Sequence, residues 1–207
     1  MELAITDWTG KAKLGRHTIG GFQFDDGRRL DLTLAYRTIG SLDSGAGNAV
    51  LLLHGTTGSG QQFLQPSTAD FLFDSGQPLD VGRFFVILPD AIGAGLSSRP
   101  SDGLGPDFPR YGYRDIVEAQ HRLLVQGLGI ERLRLLLGTS MGAMQTWMWG
   151  ERYPDVAQAL MPIASLPERI TGRNLLWRRM VIDLIESDPG YAAGRYDEQP
   201  AGLGHAM

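Results

Sequence analysis

The sequence predicts an α/β protein with a doubly wound, mostly parallel sheet that opens with an antiparallel hairpin, and three observations lead to that prediction. The runs at residues 49–53 and 84–88 are continuously apolar, and the run at 133–137 is apolar except for Arg134, as strands buried on both faces of a parallel sheet are. Helical patterns lie between these runs, and alternation of strand and helix is typical of doubly wound sheets. Residues 22–39 form two short strand-like runs around an Asp-Gly pair, which supplies the backbone conformations of a tight hairpin turn.

The helices are predicted from the spacing of apolar residues and from helix breakers. Residues 113–127 place Ile, Val and Leu side chains at helical spacing, and residues 141–152 form a helical pattern that Pro154 stops. A weaker helix is predicted near residues 61–73. These helices connect the predicted parallel strands.

Two further elements complete the predicted order. Residues 159–164 are predicted to form another strand, and residues 172–186 a helix that carries Leu, Met and Ile side chains along one side. No strand is predicted beyond this helix, and no internal repeat is visible.

The composition excludes several classes of protein. Of the 207 residues, 43% are apolar and 20% are charged, so the chain can bury a core and is too apolar to be disordered. The net charge of −4 is scattered, and we therefore expect a small-molecule partner rather than nucleic acid or a membrane. The absence of cysteine removes disulfides, thiolate zinc sites and a cysteine nucleophile. The first ten residues lack a signal-peptide pattern, so a cytoplasmic protein is expected. The sequence implies no bound metal.

The strongest chemical signal is a G-x-S-x-G pattern formed by Gly138, Ser140 and Gly142, between a predicted buried strand and a predicted helix. A sharp turn there lifts the serine hydroxyl above the sheet, and glycines flank it because neighbouring turns come too close for a Cβ atom. The serine then lies at a helix N-terminus, where free amides stabilise a developing oxyanion. We interpret Ser140 as a nucleophile; the alternative is that it merely caps the helix.

A second signal, His54-Gly55-Thr56-Thr57, directly follows the first buried strand. An oxyanion hole needs two backbone donors; the residue after the nucleophile supplies one, and the loop after this strand supplies the other. The candidates are the amides of Met141 and Thr56. His54, Gly55 and Thr57 are predicted to line the substrate pocket, and the His54 ring is interpreted as a hydrogen-bonded structural group rather than a general base.

Four segments together resemble a known family. They are GTSMGAMQ at 138–145, FPRYGYRDIVEAQHRLLVQGLGIERL at 108–133, ERYPDVAQALMPIAS at 151–165 and GRNLLWRRMVIDLIESDP at 172–189. The combination resembles the α/β-hydrolase fold and, within it, the homoserine O-acetyltransferase-like branch, over roughly residues 17–207. This resemblance implies that residues 1–165 are the N-terminal part of an α/β-hydrolase core and that residues 166–207 are the start of a helical lid.

The resemblance further implies a serine-nucleophile acyl-transfer enzyme, either an ester hydrolase or an O-acyltransferase, with Ser140 acylated and Thr56 and Met141 as oxyanion donors. Its partners would be a small-molecule ester or an acyl donor and acceptor. No bound cofactor is implied, an acyl thioester of the acetyl-CoA type would be a cosubstrate, and a homodimer is left open. Two departures weigh against homoserine as the acceptor. Residues 54–57 read H-G-T-T where the acetyltransferases have H-A-L-T, and Ile182 stands where they carry an arginine that grips the substrate.

The acid and the base of a serine triad are not identified in the sequence. In this fold they follow the serine in chain order, each on a loop after a strand. After Ser140 the only histidine is His205, third from the end of the sequence, and no strand is predicted before it. The sequence therefore looks like the N-terminal portion of a longer enzyme that ends within the lid and lacks the C-terminal strands. A truncated, non-catalytic chain is the alternative function.

Overall fold

Six strands form one mixed sheet in the order β1-β2-β4-β3-β5-β6 in the structure, a computed structural model that describes residues 6–206. The β1–β2 and β2–β4 pairs are antiparallel, and the β3–β4, β3–β5 and β5–β6 pairs are parallel. The predicted sheet with an opening hairpin is therefore confirmed. The strands are β1 Lys13–Gln23, β2 Arg29–Ile39, β3 Ala49–Leu53, β4 Phe85–Pro89, β5 Leu135–Thr139 and β6 Leu160–Ile163.

The helices agree closely with the sequence prediction. The α-helices are α1 Trp8–Lys11, α2 Pro66–Phe73, α3 Tyr113–Arg122, α4 Met141–Arg152, α5 Gly172–Glu186 and α6 Ala201–Ala206. Both α4 and α5 have the predicted bounds, whereas the predicted helix at 113–127 changes at Leu123 into a π-helical turn. Short 3₁₀ helices lie at Gly60–Leu64, Pro100–Asp102, Gly105–Asp107 and Pro189–Gly194.

Helices cover both faces of the sheet, as a doubly wound sheet requires. Successive residues of β3 point to opposite faces. Val50 and Leu52 pack with residues of α1 and α2 in one buried cluster, and Leu51 and Leu53 pack with residues of α3 and α4 in another. All five residues of β3 are buried. The continuous apolar run of this strand thus follows from burial on both faces.

The opening hairpin is longer than the sequence predicted, because β1 begins at Lys13 rather than near Phe22. In β1 only Ile19 and Phe22 are buried, and Gly15 and His17 occupy the less exposed positions before them, so the strand lacks an alternating apolar pattern. A register shift lies between these two residues, at a bulge where Gly21 has φ +57°. The Gly21 amide donates to Asp31 across the hairpin at 2.7 Å. Pairing with β2 rather than side-chain pattern therefore forms the first half of β1.

The chain divides into two compact units. The first unit contains the described residues up to Arg99 together with Pro109–Leu166, and holds the whole sheet. The second contains Pro100–Phe108 and the described residues from Pro167 onward. The sequence prediction had grouped the 100–108 segment with the core. Within the second unit, Arg195 pairs with Asp107 of that segment at 3.1 Å.

The second unit is helical. In the part of it that the structure describes, no strand follows β6, as predicted. Its longest helix, α5, has 15 residues. No helix within residues 6–206 combines the length and the apolar character needed to cross a membrane.

Candidate active site

Ser140 lies at a sharp turn between the end of β5 and the start of α4. Its backbone has φ 52° and ψ −108°, which is neither helical nor extended, and its amide donates to the carbonyl of Ile163 at 2.9 Å. A non-glycine residue in such a conformation costs on the order of 1–3 kcal/mol and persists only where its surroundings impose it. The predicted strained backbone at Ser140, with a helix starting immediately after it, is confirmed.

Two glycines make this turn sterically feasible. A Cβ atom on Gly138 would overlap the carbonyl group of Gly142. A Cβ atom on Gly142 would overlap the carbonyl group of Leu53, so the first turn of α4 packs directly against the end of β3. The prediction that close approach requires both glycines is confirmed.

The Ser140 side chain is exposed and makes no capping hydrogen bond to the helix that it precedes. A serine that served only as an N-cap would accept a hydrogen bond from an amide in the first turn of the helix. The capping alternative is therefore wrong. The hydroxyl stands at the N-terminus of α4 and is open to a reactant.

The loop after β3 lies beside this turn. A Cβ atom on Gly55 would lie 3.9 Å from the Cβ atom of Ser140, and Gly58 donates to the carbonyl of Gly55 at 3.1 Å, which closes the loop into a tight turn. Within residues 6–206, the amides of Thr56 and Met141 donate to no protein acceptor. That these two amides converge on one point, and that His54, Gly55 and Thr57 line a pocket, stay predictions.

The His54 ring is buried, with 2% of its surface exposed. Its Nδ1 contacts the carbonyl oxygen of Gly55 at 2.8 Å, and its Nε2 accepts from the Ala91 amide at 3.0 Å. This pattern requires a neutral ring with the proton on Nδ1. Burial lowers the pKa of His54, and the nearby Asp90 carboxylate offsets only part of that effect. The ring therefore supports the loop, as predicted, and has no nitrogen left for a ligand.

Asp90 is a buried carboxylate whose role the sequence analysis missed. Its side chain is fully buried and accepts hydrogen bonds from the amides of Gly60 at 2.7 Å and Leu96 at 2.9 Å. The Arg37 guanidinium lies 3.2 Å away and compensates the charge. The loops after β3 and β4 therefore both form hydrogen bonds with the same carboxylate. Its position directly after a buried strand is the signal that could have indicated it.

Gln62 is a second residue that the sequence analysis missed. It lies on the 3₁₀ helix after the β3 loop, and its side-chain oxygen accepts from the Gly55 amide at 2.9 Å. Its side-chain nitrogen donates to the Thr139 hydroxyl at 3.0 Å. One amide group therefore connects the loop after β3 with the residue that precedes Ser140.

The other histidines of the first unit lie elsewhere. His17 is on β1, four strands from β5 in the sheet order, and packs beside Gly127. His121 on α3 stacks on the Tyr153 ring, with ring centroids 3.9 Å apart, and burial lowers its pKa. Thus the structure shows no free imidazole beside Ser140 among the described residues of this unit.

His205 lies on α6 in the second unit, where its side chain is exposed. It contributes to a lowered pKa of Asp188, although the hydrogen bonds from the amides of Gly202 and Gly190 are the larger causes. No catalytic role is assigned to His205.

Comparison with known proteins gives a consistent family. Residues 48–201 match the family model of the alpha/beta hydrolase fold. A homoserine O-acetyltransferase from Chlorobaculum parvum is 37% identical over 188 residues, which cover 84% of this chain and 50% of that protein. The chain thus spans about half the length of the curated relatives that it matches.

Solved structures of esterases have the same fold. An acetylester hydrolase from Corynebacterium glutamicum superposes with a TM-score of 0.81 at 31% identity, covering 90% of this chain and 53% of that chain. The acetyl esterase MekB superposes with a TM-score of 0.83 at 30% identity, covering 96% of this chain and 57% of that chain. From the sheet order, the Ser140 turn and these matches together, the chain belongs to the alpha/beta hydrolase fold family, in its homoserine O-acetyltransferase-like branch.

Proposed function

We propose that this chain carries the nucleophile and the oxyanion donors of an acyl-transfer enzyme that works through an acyl-serine intermediate. The observation that supports this most is the Ser140 turn. At this turn a strained backbone holds an exposed hydroxyl at a helix N-terminus, and the hydroxyl makes no capping hydrogen bond. The neighbouring loop carries the Thr56 amide, which donates to no acceptor among the described residues. Strain of this kind costs free energy, and it is concentrated at functional sites.

In the proposed reaction, the Ser140 hydroxyl oxygen attacks the carbonyl carbon of an ester or thioester while a base takes its proton. The carbonyl oxygen becomes an oxyanion, to which the amides of Thr56 and Met141 donate. Collapse of this intermediate breaks the bond to the leaving alcohol or thiol, which takes up the proton. Water or an alcohol then attacks the acyl-serine, so that Ser140 is restored and the acyl group is released as an acid or a new ester.

The acyl group that we propose is acetyl. The curated relative is named as an acetyltransferase, and the two esterases are named for acetyl esters. The donor would be a small acetyl ester or an acyl thioester of the acetyl-CoA type, and the acceptor water or a small alcohol. Homoserine is the less favoured acceptor, because Gly55, Thr56 and Ile182 depart from the acetyltransferase pattern.

A binding role without catalysis is the second candidate. It is favoured by the engagement of His54 and the stacking of His121, which leave Ser140 without a neighbouring base in the described part of the first unit. A triad acts as a unit, and losing one member costs roughly as much as losing all of them, about 10⁴ to 10⁶ in rate. If the oxyanion donors act without a base, the 207-residue chain should hydrolyse p-nitrophenyl acetate only slowly, with about 10³-fold residual acceleration from the oxyanion donors and binding.

A fluorophosphonate probe distinguishes the two candidates. The pure protein is incubated with the probe, with and without added imidazole as an external base, and mass spectrometry locates the label; Ser140→Ala is the control. The proposal predicts a label on Ser140 alone among the serines, formed faster with imidazole because the hydroxyl is exposed. A chain left unlabelled at Ser140 under both conditions would support the binding role instead.

A further inference from the structure

We infer that Gln62 is a positioning residue, which sets the distance between the loop that carries the Thr56 amide and the Ser140 turn. The inference rests on the proposed function. Its physical basis is the pair of hydrogen bonds that the Gln62 side chain makes in opposite directions, at 2.9 Å to the Gly55 amide and at 3.0 Å to the Thr139 hydroxyl.

The orientation of the Gln62 amide is fixed by its partners. A backbone N–H only donates, so the oxygen of Gln62 faces Gly55. The nitrogen of Gln62 then faces the Thr139 hydroxyl oxygen, which accepts. Reversing the amide would place its N–H₂ group against the N–H of Gly55. The bridge therefore exists in one arrangement, which relates the two backbone segments in a defined way.

The two ends of this bridge adjoin the two proposed oxyanion donors. Gly55 precedes Thr56 in the chain, and Thr139 lies two residues before Met141. The donors are carried by separate segments, the loop after β3 and the start of α4. The two hydrogen bonds of Gln62 connect these segments and therefore limit how far the Thr56 and Met141 amides move apart.

The glycines of the loop allow the bridge to form. A Cβ atom on Gly58 would lie 2.6 Å from the side-chain oxygen of Gln62, and one on Gly55 would lie 3.5 Å from it. The loop backbone thus closes directly around the Gln62 amide. Other groups fix the loop against the strand β4 region, namely the His54 ring and the Asp90 carboxylate. Among the hydrogen bonds that these three side chains make to described residues, only one from Gln62 reaches β5, the strand that leads to Ser140.

The expected effect follows from the precision that oxyanion stabilisation needs. A misplacement of about 1 Å can cost about 100-fold in rate, and loss of one oxyanion donor costs about 10² to 10³-fold. Gln62→Met has similar length and cannot form either hydrogen bond. We expect it to slow the chemical step of Ser140 labelling by about 10 to 100-fold, with the affinity for the probe changed by less than about threefold.

The experiment measures the limiting rate of fluorophosphonate labelling at Ser140, and the probe concentration that gives half of that rate, for the wild type and five variants of the full chain. Thr139→Val removes the other partner of the bridge and should slow labelling to a similar extent. The Gln62→Met, Thr139→Val double variant should be no slower than either single variant, because both remove the same bridge. Thr139→Ser retains the hydroxyl and should label at nearly the wild-type rate. Gln61→Met makes the same chemical change at the exposed neighbouring residue and is the matched control.

Thermal unfolding of each variant separates positioning from folding. A purely structural role would lower the melting temperature and leave the limiting rate of the folded fraction unchanged, which would overturn the inference. Wild-type labelling at Ser140 with an equal limiting rate in Gln62→Met would also overturn it, while the proposed function would stand. If the wild type is not labelled at Ser140, both the inference and the proposed function fail.

Discussion

Helices α4 and α5 differ sharply in what covers them, although both carry large apolar side chains. In α4 the buried residues are Gly142, Ala143, Gln145, Thr146 and Trp149. In α5 no residue is buried, and Trp177 has 61% of its surface exposed. The first helix packs mostly small side chains closely on the sheet. The second presents Leu, Met and Trp side chains to solvent.

The apolar content of a helix and the burial of its side chains are therefore separate properties. Apolar residues at helical spacing predict that a helix forms, which is why the bounds of both helices could be predicted. Close packing depends on what lies opposite, and in α4 it depends on residues as small as Gly142, which touches β3. The proposed site lies in the tightly packed region, where strain at Ser140 can be maintained.

The largest expected difference in the free energy of unfolding is between truncation of the buried tryptophan of α4 and truncation of the exposed tryptophan of α5. Trp149 is 1% exposed and donates from its indole nitrogen to Gln120 at 3.1 Å. Trp149→Ala should lower the free energy of unfolding by about 3–5 kcal/mol, through the cavity and the lost hydrogen bond. Trp177→Ala should change it by less than about 0.5 kcal/mol, since the side chain is already in solvent. Urea unfolding measures both, and losses of equal size would show that α5 is packed as closely as α4.

The second prediction concerns glycines in helices of the two units. In Gly142→Ala the new methyl group meets the Leu53 carbonyl, and the free energy of unfolding should fall by about 3 kcal/mol. In Gly204→Ala, on α6, the new methyl group meets no atom within 4 Å, and the change should be small or slightly stabilising.

Gly150→Ala is the control within α4. Its methyl group meets only the flexible end of the Leu160 side chain, so the loss should be smaller than for Gly142→Ala. Equal stability of the two α4 variants would show that contact with the Leu53 carbonyl does not determine the effect at Gly142.

The smallest expected effect is the dependence of stability on pH. Burial lowers the pKa of His54 below its ordinary value of 6.5, so the unfolded chain binds this proton more readily than the folded chain. The free energy of unfolding should therefore be at its full value above pH 6.5 and should fall as the pH drops from there toward about 5, above the range in which most carboxylates titrate.

Replacing each histidine in turn measures how much its ring contributes to the dependence of the free energy of unfolding on pH. Burial also lowers the pKa of His121, so that residue adds in the same direction. His54→Gln should flatten the profile more than His121→Gln, because the His54 ring is buried and bonded at both nitrogens. A profile that His54→Gln leaves unchanged would mean that the ring is not kept neutral by burial.

Local sequence patterns were sufficient to predict the helices and strands that are buried or that have sharp ends. The apolar run of β3, and the glycine and proline that bound α4, lie within a few residues of the structure that they determine. The first half of β1 was missed because Gly15 and Gly20 interrupt it and only Ile19 and Phe22 are buried. There the strand forms through hydrogen bonds to β2, and those depend on a partner rather than on the pattern.

The same contrast applies to the site. The Ser140 turn could be predicted because Gly138 and Gly142 are adjacent in sequence to the strain that they relieve. The Gln62 bridge joins residues 77 positions apart, in a segment with only a weak helical pattern, and no local signal indicates it. The Arg37 and Asp90 pair spans 53 positions; the place of Asp90 directly after a buried strand is a local signal, but no local signal indicates Arg37 as its partner.

Trapping of the acyl-enzyme would show directly whether Ser140 is the nucleophile. The protein is mixed with p-nitrophenyl acetate in the presence of imidazole, quenched in acid, and digested for mass spectrometry. If Ser140 is the nucleophile, the peptide that contains it gains the mass of one acetyl group, and no such increase is found in Ser140→Ala. Acetyl found only on lysines or on the N-terminus, with the Ser140 peptide unmodified, would contradict the assignment of Ser140 as the nucleophile.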